Sequence, residues 1–398
     1  MKKLLIISMG RLRRDGAAGN SVTCALIESA LEDNFKIEYV GLEDEDFLEE
    51  KIIPFNFKEK YKNNIDFNII PMKKKKINIF SKMLGTFNQS YLYEINSEKI
   101  IDLMGKNYEN GLFIESLPVI LSSKLKIRKK LIIFGDPAGE RLRYSNNSWN
   151  LYILIKSFFL KYLEYFFIKK YSRDSQIAIW GTKHSKDLGK FLNKNIYDIR
   201  PFLSTNSSKI SFKELNYSSE QKIVFNFGGT LATTASKQAL KEIKNTVLPS
   251  IRNCFKKNEE YEFKIIGEVS ELYLSILKNE KNIKFTGRVN NFEVELSKGD
   301  VFILPMNYPV GVRTRLCSAL AAGNICIVHN SILGNMPELK DCQSVFIVNK
   351  KNDYYCYLNK LKNNHNFFPL KQEAIKFFNQ YYRNTSSTRK ILDYFKNN

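Results

Sequence analysis

The residues best suited to chemistry are two arginines, Arg313 and Arg315, which follow Gly311 in a passage patterned as strand, glycine loop and helix. A guanidinium group matches pairs of phosphate oxygens, and a glycine lets the backbone approach a ligand closely. The first turn of the following helix adds unpaired N–H groups and the positive end of the helix dipole. Ser318 lies three residues after Arg315 and therefore shares its helix face. The passage predicts a diphosphate-binding site; the alternative is an exposed basic first turn.

Alternating strands and helices are predicted to position this loop. The chain has 398 residues, 43% of them hydrophobic, which suits two domains. Short apolar runs separated by helical patterns predict parallel sheets with helices on both faces. In the first half these runs are Leu4–Ser8, Lys36–Val40, Gly111–Glu115, Leu131–Phe134, Gln176–Trp180 and Asn195–Arg200. In the second half they are Lys222–Phe227, Glu262–Ile266, Asn282–Thr286, Asp300–Leu304, Asn324–His329 and Val345–Val348.

The serine-rich segment Ser204–Gln221 marks the predicted domain boundary. We therefore expect an α/β fold with two Rossmann-like, doubly wound domains at residues 1–205 and 221–380, joined by a linker at residues 206–220. Ligands bind outside the carboxyl ends of the strands in such sheets, so a cleft between the domains is the expected site. Residues 381–398 are predicted to form a C-terminal helix that can cross back to the first domain.

The region from Lys222 to Val348 resembles the C-terminal, donor-binding domain of glycosyltransferase family four (glycosyl transferases group 1), which has the GT-B architecture. The most specific element is the order Gly-x-Arg-x-(Lys/Arg) before Ala-Leu-Ala-x-Gly, here between Gly311 and Gly323. Shorter passages resemble other strand ends of that domain: Phe225–Thr230, Gly267–Glu268, Phe285–Val289 and Gly334–Glu338. The resemblance implies two Rossmann-like domains facing across a cleft, with a nucleotide-diphosphate sugar bound by the second.

The resemblance also implies which side chains contact the donor. Lys237 matches a phosphate-contacting lysine, although its spacing from the glycine turn is longer than usual; it is otherwise a solvated helix-face lysine. Val289 matches the position where the backbone holds the base; it is otherwise a core valine at a strand end. The full predicted donor-binding set is Gly228, Gly229, Thr230, Lys237, Glu268, Val289, Gly311, Arg313, Thr314, Arg315 and Ser318.

One departure from the family pattern concerns two glutamates eight positions apart, which contact the sugar and the ribose. Val310 and Ser318 occupy those positions here. A serine makes a single hydroxyl contact where a carboxylate makes two. Donor binding is therefore weaker, rearranged or directed to another sugar nucleotide, and an inactive homologue is an alternative.

The first half is expected to carry the acceptor and the second wall of the site. Gly16 and Gly19 form a glycine-rich turn after the first strand, which either admits substrate to a helix N-terminus or simply joins strand to helix. This turn does not match the dinucleotide fingerprint, so no NAD is inferred. Asp136, at another strand end, is the best candidate for a catalytic carboxylate or sugar contact, with Glu115 as a weaker rival. The alternative for Asp136 is a turn-forming aspartate before Pro137.

No metal site or bound cofactor is expected. Asp44, Glu45 and Asp46 match the short D-x-D metal motif of another glycosyltransferase architecture, but the motif is too short to be specific. The three histidines are scattered, so zinc is not indicated. The nucleotide-diphosphate sugar is expected as substrate.

A net charge of +21 points to anionic partners: a phosphorylated ligand, an anionic membrane surface or nucleic acid. General lysine enrichment is the alternative. The lysine run at 73–76 precedes Ile77–Phe80, and residues 149–173 mix aromatic residues with lysines, as suits a membrane surface. The charges in 156–173 fall at several helical angles, so a core helix with snorkelling lysines is the alternative. The four-residue apolar run near Met1 is too short for a signal peptide, and the six cysteines form no paired motif. We expect a cytoplasmic protein, peripheral on the inner face of the cell membrane.

The expected function is that of a glycosyltransferase of hexosyltransferase type, retaining by family resemblance, which acts on a glycan or lipid-linked acceptor in surface polysaccharide synthesis. Two alternatives share the fold: a sugar-nucleotide epimerase and a catalytically silent homologue. A third is a nucleic-acid-binding protein, which the charge favours but no recognised motif supports, so nucleic acid is not an expected partner.

Overall fold

A computed structural model describes residues 2–10, 12, 18–48, 59–76, 78–85, 87–95, 97–145, 150–200, 222–229, 231, 233–268, 275–277, 280–363, 366–383 and 386–397. Contacts between residues divide the chain into two units. The first contains residues 1–204 together with 384–398, and the second contains residues 205–383. The predicted linker at 206–220 lies outside the described residues.

In the first domain, the described strands form one sheet in the order β4-β3-β2-β1-β5-β6-β7-β8. All neighbours are parallel except β3 and β4. The strands are β1 (Lys3–Met9), β2 (Lys36–Asp44), β3 (Ile65–Lys74), β4 (Tyr93–Ile95), β5 (Asn107–Ile114), β6 (Lys126–Phe134), β7 (Gln176–Trp180) and β8 (Tyr197–Ile199). The helices are α1 (Ala18–Glu32), α2 (Ile79–Leu84), α3 (Ser97–Met104), α4 (Ser116–Ser122), α5 (Ala138–Ser145), α6 (Leu151–Tyr171) and α7 (Thr182–Leu192).

Strand β1 shows why its short apolar run folds this way. Successive side chains of a strand point to opposite faces of the sheet, so a strand covered on both faces is apolar throughout. Leu4 and Ile6 pack into one core cluster, while Leu5 and Ile7 pack into another, and all four are fully buried. The sheet therefore has a hydrophobic core on each face.

The C-terminal helix α14 (Ser386–Lys396) completes the first domain. Ile391, Leu392 and Phe395 enter the same core cluster as Leu4 and Ile6. The Tyr394 hydroxyl donates to the Lys130 carbonyl oxygen at 3.1 Å. The end of the chain is thus part of the first domain's core.

In the second domain, the described strands form a parallel sheet in the order β11-β10-β9-β12-β13-β14. The strands are β9 (Ile223–Gly228), β10 (Tyr261–Ile266), β11 (Ile283–Gly287), β12 (Val301–Leu304), β13 (Ile325–His329) and β14 (Val345–Val348). The helices are α8 (Thr234–Glu242), α9 (Leu248–Cys254), α10 (Phe292–Ser297), α11 (Thr314–Ala321), α12 (Lys351–Asn363) and α13 (Phe368–Tyr381). A π-helical segment, Ile243–Val247, joins α8 to α9 next to Pro249, which has no N–H to continue the α-helical ladder.

All twelve predicted strands are present, and the predicted α/β fold with two parallel-sheet domains is confirmed. Strands β3 and β4 were not predicted from the sequence. Strand β3 exposes several polar side chains and contains Pro71, and β4 has only three residues, so neither forms a continuous apolar run.

Candidate functional site

Three consecutive glycine turns lie at the carboxyl ends of β9, β10 and β11. The Gly229 N–H donates to the Ile266 carbonyl oxygen at 2.9 Å, and the Gly267 N–H donates to the Gly287 carbonyl oxygen at 3.0 Å. At Gly267 φ is +122°, and a Cβ there would lie 2.4 Å from the Gly229 carbonyl oxygen. Only glycine fits this close approach of two turns. The strand ends predicted to face the ligand are therefore packed together.

Arg315, in the first turn of α11, reaches the turn that follows β9. A Cβ on Gly229 would lie 3.3 Å from Arg315 Nε. The guanidinium lies over the Phe227 ring, 5.8 Å from its centroid, and Nη2 donates to Ser236 Oγ at 3.3 Å. Loss of water and the nearby charge of Arg313 lower the pKa of Arg315 to about 10. The group stays cationic at neutral pH, but its charge is costly until an anion binds beside it.

Arg313 occupies the residue before α11. Its guanidinium lies over the Tyr308 ring, 5.0 Å from the centroid, and donates to the Tyr308 carbonyl oxygen. Gly311 precedes it with φ +68°, a left-handed conformation that favours glycine and turns the chain into α11. No side chain caps the N-terminus of α11 among the described residues. Arg315 and the N-terminus of α11 thus lie close to the Gly229 turn, with Arg313 near enough to lower the pKa of Arg315.

Ser318 is buried and its hydroxyl donates to Glu293 Oε1 at 2.8 Å. Glu293 lies in the first turn of α10, which follows β11. Val310, at the other position where the family has a glutamate, is fully buried. The structure therefore places a carboxylate from a different helix beside Ser318. Sequence reasoning missed Glu293 because it lies 25 residues away along the chain.

The structure places the remaining predicted donor-binding residues of the second domain as follows. Lys237 is half-buried in the first turn of α8, directly after Ser236. Glu268 is exposed after Gly267, and Val289 is half-buried two residues after β11. Thr314 is the first residue of α11, and Gly228 is the last residue of β9. Thr230 lies outside the described residues.

In the first domain, Asp136 is half-buried between β6 and α5. Its charge raises the pKa of Glu164, which shows that the two carboxyl groups lie near one another. Glu115, at the end of the neighbouring strand β5, has φ +76°, an uncommon conformation for a residue with a side chain. Gly19 lies in the first turn of α1, and Gly16 lies outside the described residues.

Glu164 is a buried carboxyl group that the sequence patterns did not single out. Its Oε2 accepts a hydrogen bond from the Ala138 N–H at the start of α5, at 2.8 Å. Burial is the main cause that raises its pKa to about 7, and the charge of Arg141 opposes this rise. The carboxyl ends of β5 and β6 therefore carry Glu115 and Asp136, with a titratable glutamate nearby.

The D-x-D lookalike takes part in ion pairs. Lys74 Nζ lies 3.0 Å from Asp44 Oδ2 and 2.5 Å from Asp46 Oδ2. Both carboxylates thus neutralise a lysine of the adjacent strand β3.

Comparison with known families finds a match to the second domain. Residues 222–361 match the family model described as glycosyl transferases group 1. The second domain is thus similar to this family over most of its length. The predicted resemblance is thereby confirmed, and the glycine turns, Arg313, Arg315 and Glu293 all lie inside the matched range. No curated protein matches the chain significantly.

Solved structures show the same fold over the whole chain. A TarM variant from S. aureus, in complex with fondaparinux, alpha-GlcNAc-glycerol and UDP, has a TM-score of 0.65 at 10% identity, covering 99% of this chain and 100% of its own. HepE from Anabaena, in complex with UDP and glucose, has a TM-score of 0.62 at 8% identity, covering 100% of both chains. WaaG, a glycosyltransferase involved in lipopolysaccharide biosynthesis, has a TM-score of 0.63 at 9% identity, covering 99% and 100%. These similarities confirm the predicted GT-B fold.

Proposed function

We propose that this group 1 glycosyltransferase moves a sugar from a nucleoside-diphosphate sugar, held by its second domain, to a hydroxyl group of a glycan or lipid-linked acceptor. The observation that carries the proposal is the placement of Arg315 against the Gly229 turn, with Arg313 close enough to lower its pKa. Two adjacent cations raise each other's energy, and a diphosphate offsets that cost.

The chemistry assigned to the arginines is stabilisation of the leaving group. The bond between the anomeric carbon and the β-phosphate oxygen breaks, and the acceptor hydroxyl oxygen forms the new bond to that carbon. Negative charge develops on the departing diphosphate, where Arg313, Arg315 and the N-terminus of α11 are placed to offset it. We propose retention of anomeric configuration, on the family resemblance. The acceptor proton then passes to the leaving phosphate oxygen, and no dedicated base is required.

We further propose that Glu293 performs the carboxylate role that Ser318 cannot. Its Oε1 accepts the Ser318 hydroxyl, while a carboxylate has further lone pairs that can accept hydroxyl groups of a ribose or sugar. Glu293 lies on α10, whose preceding strand β11 ends in the Gly287 turn of the same cluster. The missing glutamate would thus be replaced from a neighbouring helix, and the donor site would remain complete.

The proposed acceptor and its setting follow from the similar solved structures and from the cysteines. WaaG acts in lipopolysaccharide biosynthesis, and the TarM complex holds alpha-GlcNAc-glycerol. By analogy we propose a role in surface polysaccharide synthesis, with UDP as the first nucleotide to test. All six cysteines are free thiols, five of them buried, which favours a reducing compartment such as the cytoplasm.

Thermal unfolding with a ligand panel tests the proposal against its alternatives. A ligand present at about 100 times its dissociation constant stabilises the native state by about 2.7 kcal/mol. We expect stabilisation by UDP or another nucleoside diphosphate. Stabilisation by duplex DNA but by no nucleotide would overturn the proposal. For a nucleotide sugar that binds, transfer releases nucleoside diphosphate when acceptor is present, epimerisation changes the sugar without release, and a silent homologue does neither.

A further inference from the structure

Helix α6 exposes an unusual number of large apolar side chains. Among the described residues, fifteen large hydrophobic side chains are exposed, and seven of them belong to this one helix. Their exposed fractions range from 38% to 70%. They are Leu151, Tyr152, Ile155, Phe158, Phe159, Tyr162 and Phe166. Single exposed apolar residues are ordinary, but a contiguous set marks an interaction surface.

The spacing of these residues places them on one face. They recur at intervals of three or four residues, which is the repeat of one side of an α-helix. From Leu151 to Phe166 the helix rises about 22 Å at ~1.5 Å per residue. We call this set the α6 outer face. It forms a continuous apolar stripe over about four helical turns.

Polar contacts on the opposite side fix the rotation of α6. Lys161 Nζ lies 3.1 Å from Glu140 Oε1 and 3.3 Å from Asp187 Oδ2. Glu164 accepts the Ala138 N–H, and a Cβ at Gly139 would lie 2.3 Å from the Ser157 carbonyl oxygen. Rotating the helix to bury its outer face would break these contacts. The apolar residues therefore point outward because the inward contacts hold them there.

The charges around the α6 outer face favour an anionic occupant. Lys156 Nζ lies 5.8 Å from the centroid of the Tyr152 ring, and Lys169 and Lys170 are exposed at the C-terminal end. Glu164 is the single acidic residue of α6, and it is buried. The net charge of +21 opposes pairing of two copies and favours attraction to a negative surface.

We propose that the α6 outer face docks on the surface of an anionic lipid bilayer. The helix lies flat, with its aliphatic and phenylalanine side chains among the acyl chains and the two tyrosine hydroxyls at headgroup level. The lysines at both ends contact lipid phosphates. None of the described helices is long and apolar enough to cross a membrane. The proposal concerns where the enzyme works and is independent of the donor that it uses.

Co-sedimentation with vesicles tests this docking. The full chain is mixed at low salt with vesicles of equimolar phosphatidylglycerol and phosphatidylcholine, and separately with phosphatidylcholine alone. We expect binding to the anionic vesicles, weakened by salt. The triple variant Ile155→Gln, Phe158→Gln, Phe159→Gln should bind them about 100-fold more weakly. The matched control Ile101→Gln removes an apolar side chain that is 63% exposed on α3, and it should bind like the wild type.

A second variant tests how much the lysine charges contribute to vesicle binding. Lys169→Gln with Lys170→Gln should weaken binding to anionic vesicles by about 25-fold, at ~5-fold per lysine, and should leave binding to phosphatidylcholine unchanged. Unchanged thermal unfolding and UDP affinity establish that each variant folds. No binding by the wild type at low salt overturns the proposal, as does wild-type binding by the triple variant. A dimer that the triple variant dissociates, without lipid binding, assigns the face to a second copy and also overturns it.

Discussion

The carboxyl ends of the central strands differ sharply between the two domains. In the second domain they carry glycine turns beside two arginines, Arg313 and Arg315. In the first domain they carry Glu115 and Asp136, with the buried Glu164 nearby. Both sheets are built from the same parallel units, so the backbone only determines where loops meet. The side chains therefore give the two edges different chemistry. The arginines at the second domain's edge attract anions, whereas the carboxyl groups at the first domain's edge can bind and release protons.

The two edges also respond differently to pH. Arg315, with a pKa of about 10, remains charged throughout the physiological range. Glu164, with a pKa of about 7, changes its charge within that range. We therefore expect binding of a nucleotide sugar, whose diphosphate has no terminal phosphate to titrate, to vary little between about pH 6 and 8, while properties of the first domain vary with pH.

The largest expected effect on nucleotide binding comes from Arg315→Met, which removes the cation beside the Gly229 turn at similar side-chain volume. The dissociation constant for UDP should rise about 100-fold, because a charge-assisted contact to the diphosphate is lost. Calorimetric titration measures this. The unliganded protein should lose no stability, because the folded state disfavours the Arg315 charge.

The matched control for Arg315 is Arg252→Met in the same domain. Arg252 forms an exposed ion pair with Glu280, so its loss should leave UDP affinity unchanged. Equal UDP affinity in wild type and Arg315→Met would contradict this account, because it would show that the strand ends of the second domain are not an anion-binding site.

Glu164→Gln should change the free energy of unfolding rather than nucleotide binding. The variant keeps an acceptor for the Ala138 N–H and removes the ionisation. Since the folded pKa is raised from 4.5 to about 7, the wild type loses stability as pH rises through this window. The loss reaches about 3 kcal/mol above pH 7, at ~1.36 kcal/mol per pKa unit.

Denaturant unfolding of both proteins at several pH values measures this difference. Glu164→Gln should match the wild type near pH 4.5 and exceed its free energy of unfolding at about pH 8. His184, whose pKa is lowered to about 4 by burial, titrates in both proteins and cancels in the difference. A difference that is constant with pH would show that Glu164 is ionised like an ordinary surface glutamate.

Asp136→Asn tests whether the carboxylate that follows β6 takes part in the reaction. We expect turnover to fall about 100-fold with UDP affinity unchanged, because the sequence predicts Asp136 as a catalytic carboxylate or sugar contact and its loss would act on the transition state. The pKa of Glu164 should also fall, since the charge of Asp136 contributes to its rise. Asp102→Asn is the control, because Asp102 is exposed on α3. Near-normal turnover in Asp136→Asn would remove this residue from the mechanism.

Glu293→Gln should give the smallest effect. Loss of a carboxylate acceptor should raise KM for the sugar nucleotide about 10-fold, equivalent to ~1.4 kcal/mol, with little change in kcat. Glu295→Gln on the same helix is the control, because Glu295 pairs with Lys298. If both variants have the wild-type KM, the carboxylate of Glu293 does not replace the missing glutamate.

Much of the fold could be predicted because buried parallel strands are apolar on both faces. The run Leu4–Ile7 shows this, since its alternate residues fill two separate cores. Strand β3 could not be predicted in this way, because Pro71 and its exposed polar residues break the pattern. Edge regions of a sheet bury less apolar surface and so leave a weaker signal in the sequence.

The site was predictable where its residues are consecutive, as from Gly311 to Ser318. Glu293 and Glu164 were not, because their importance arises from partners distant in sequence: Ser318 for the first and Ala138 for the second. A lone glutamate in the apolar run of α6 was the available signal for Glu164. Exposure of the α6 outer face also needed the structure, since the sequence of α6 is apolar on every side.

Hydrogen exchange of the full chain with and without UDP tests most directly whether the nucleotide binds at the glycine turns and arginines of the second domain. We predict slower exchange at saturating UDP in three segments, residues 225–229, 287–293 and 311–318, which contain Gly229, Glu293 and Arg315. Protection should disappear in Arg315→Met under the same conditions. Protection confined to residues 2–200, or none at any UDP concentration, would contradict the account.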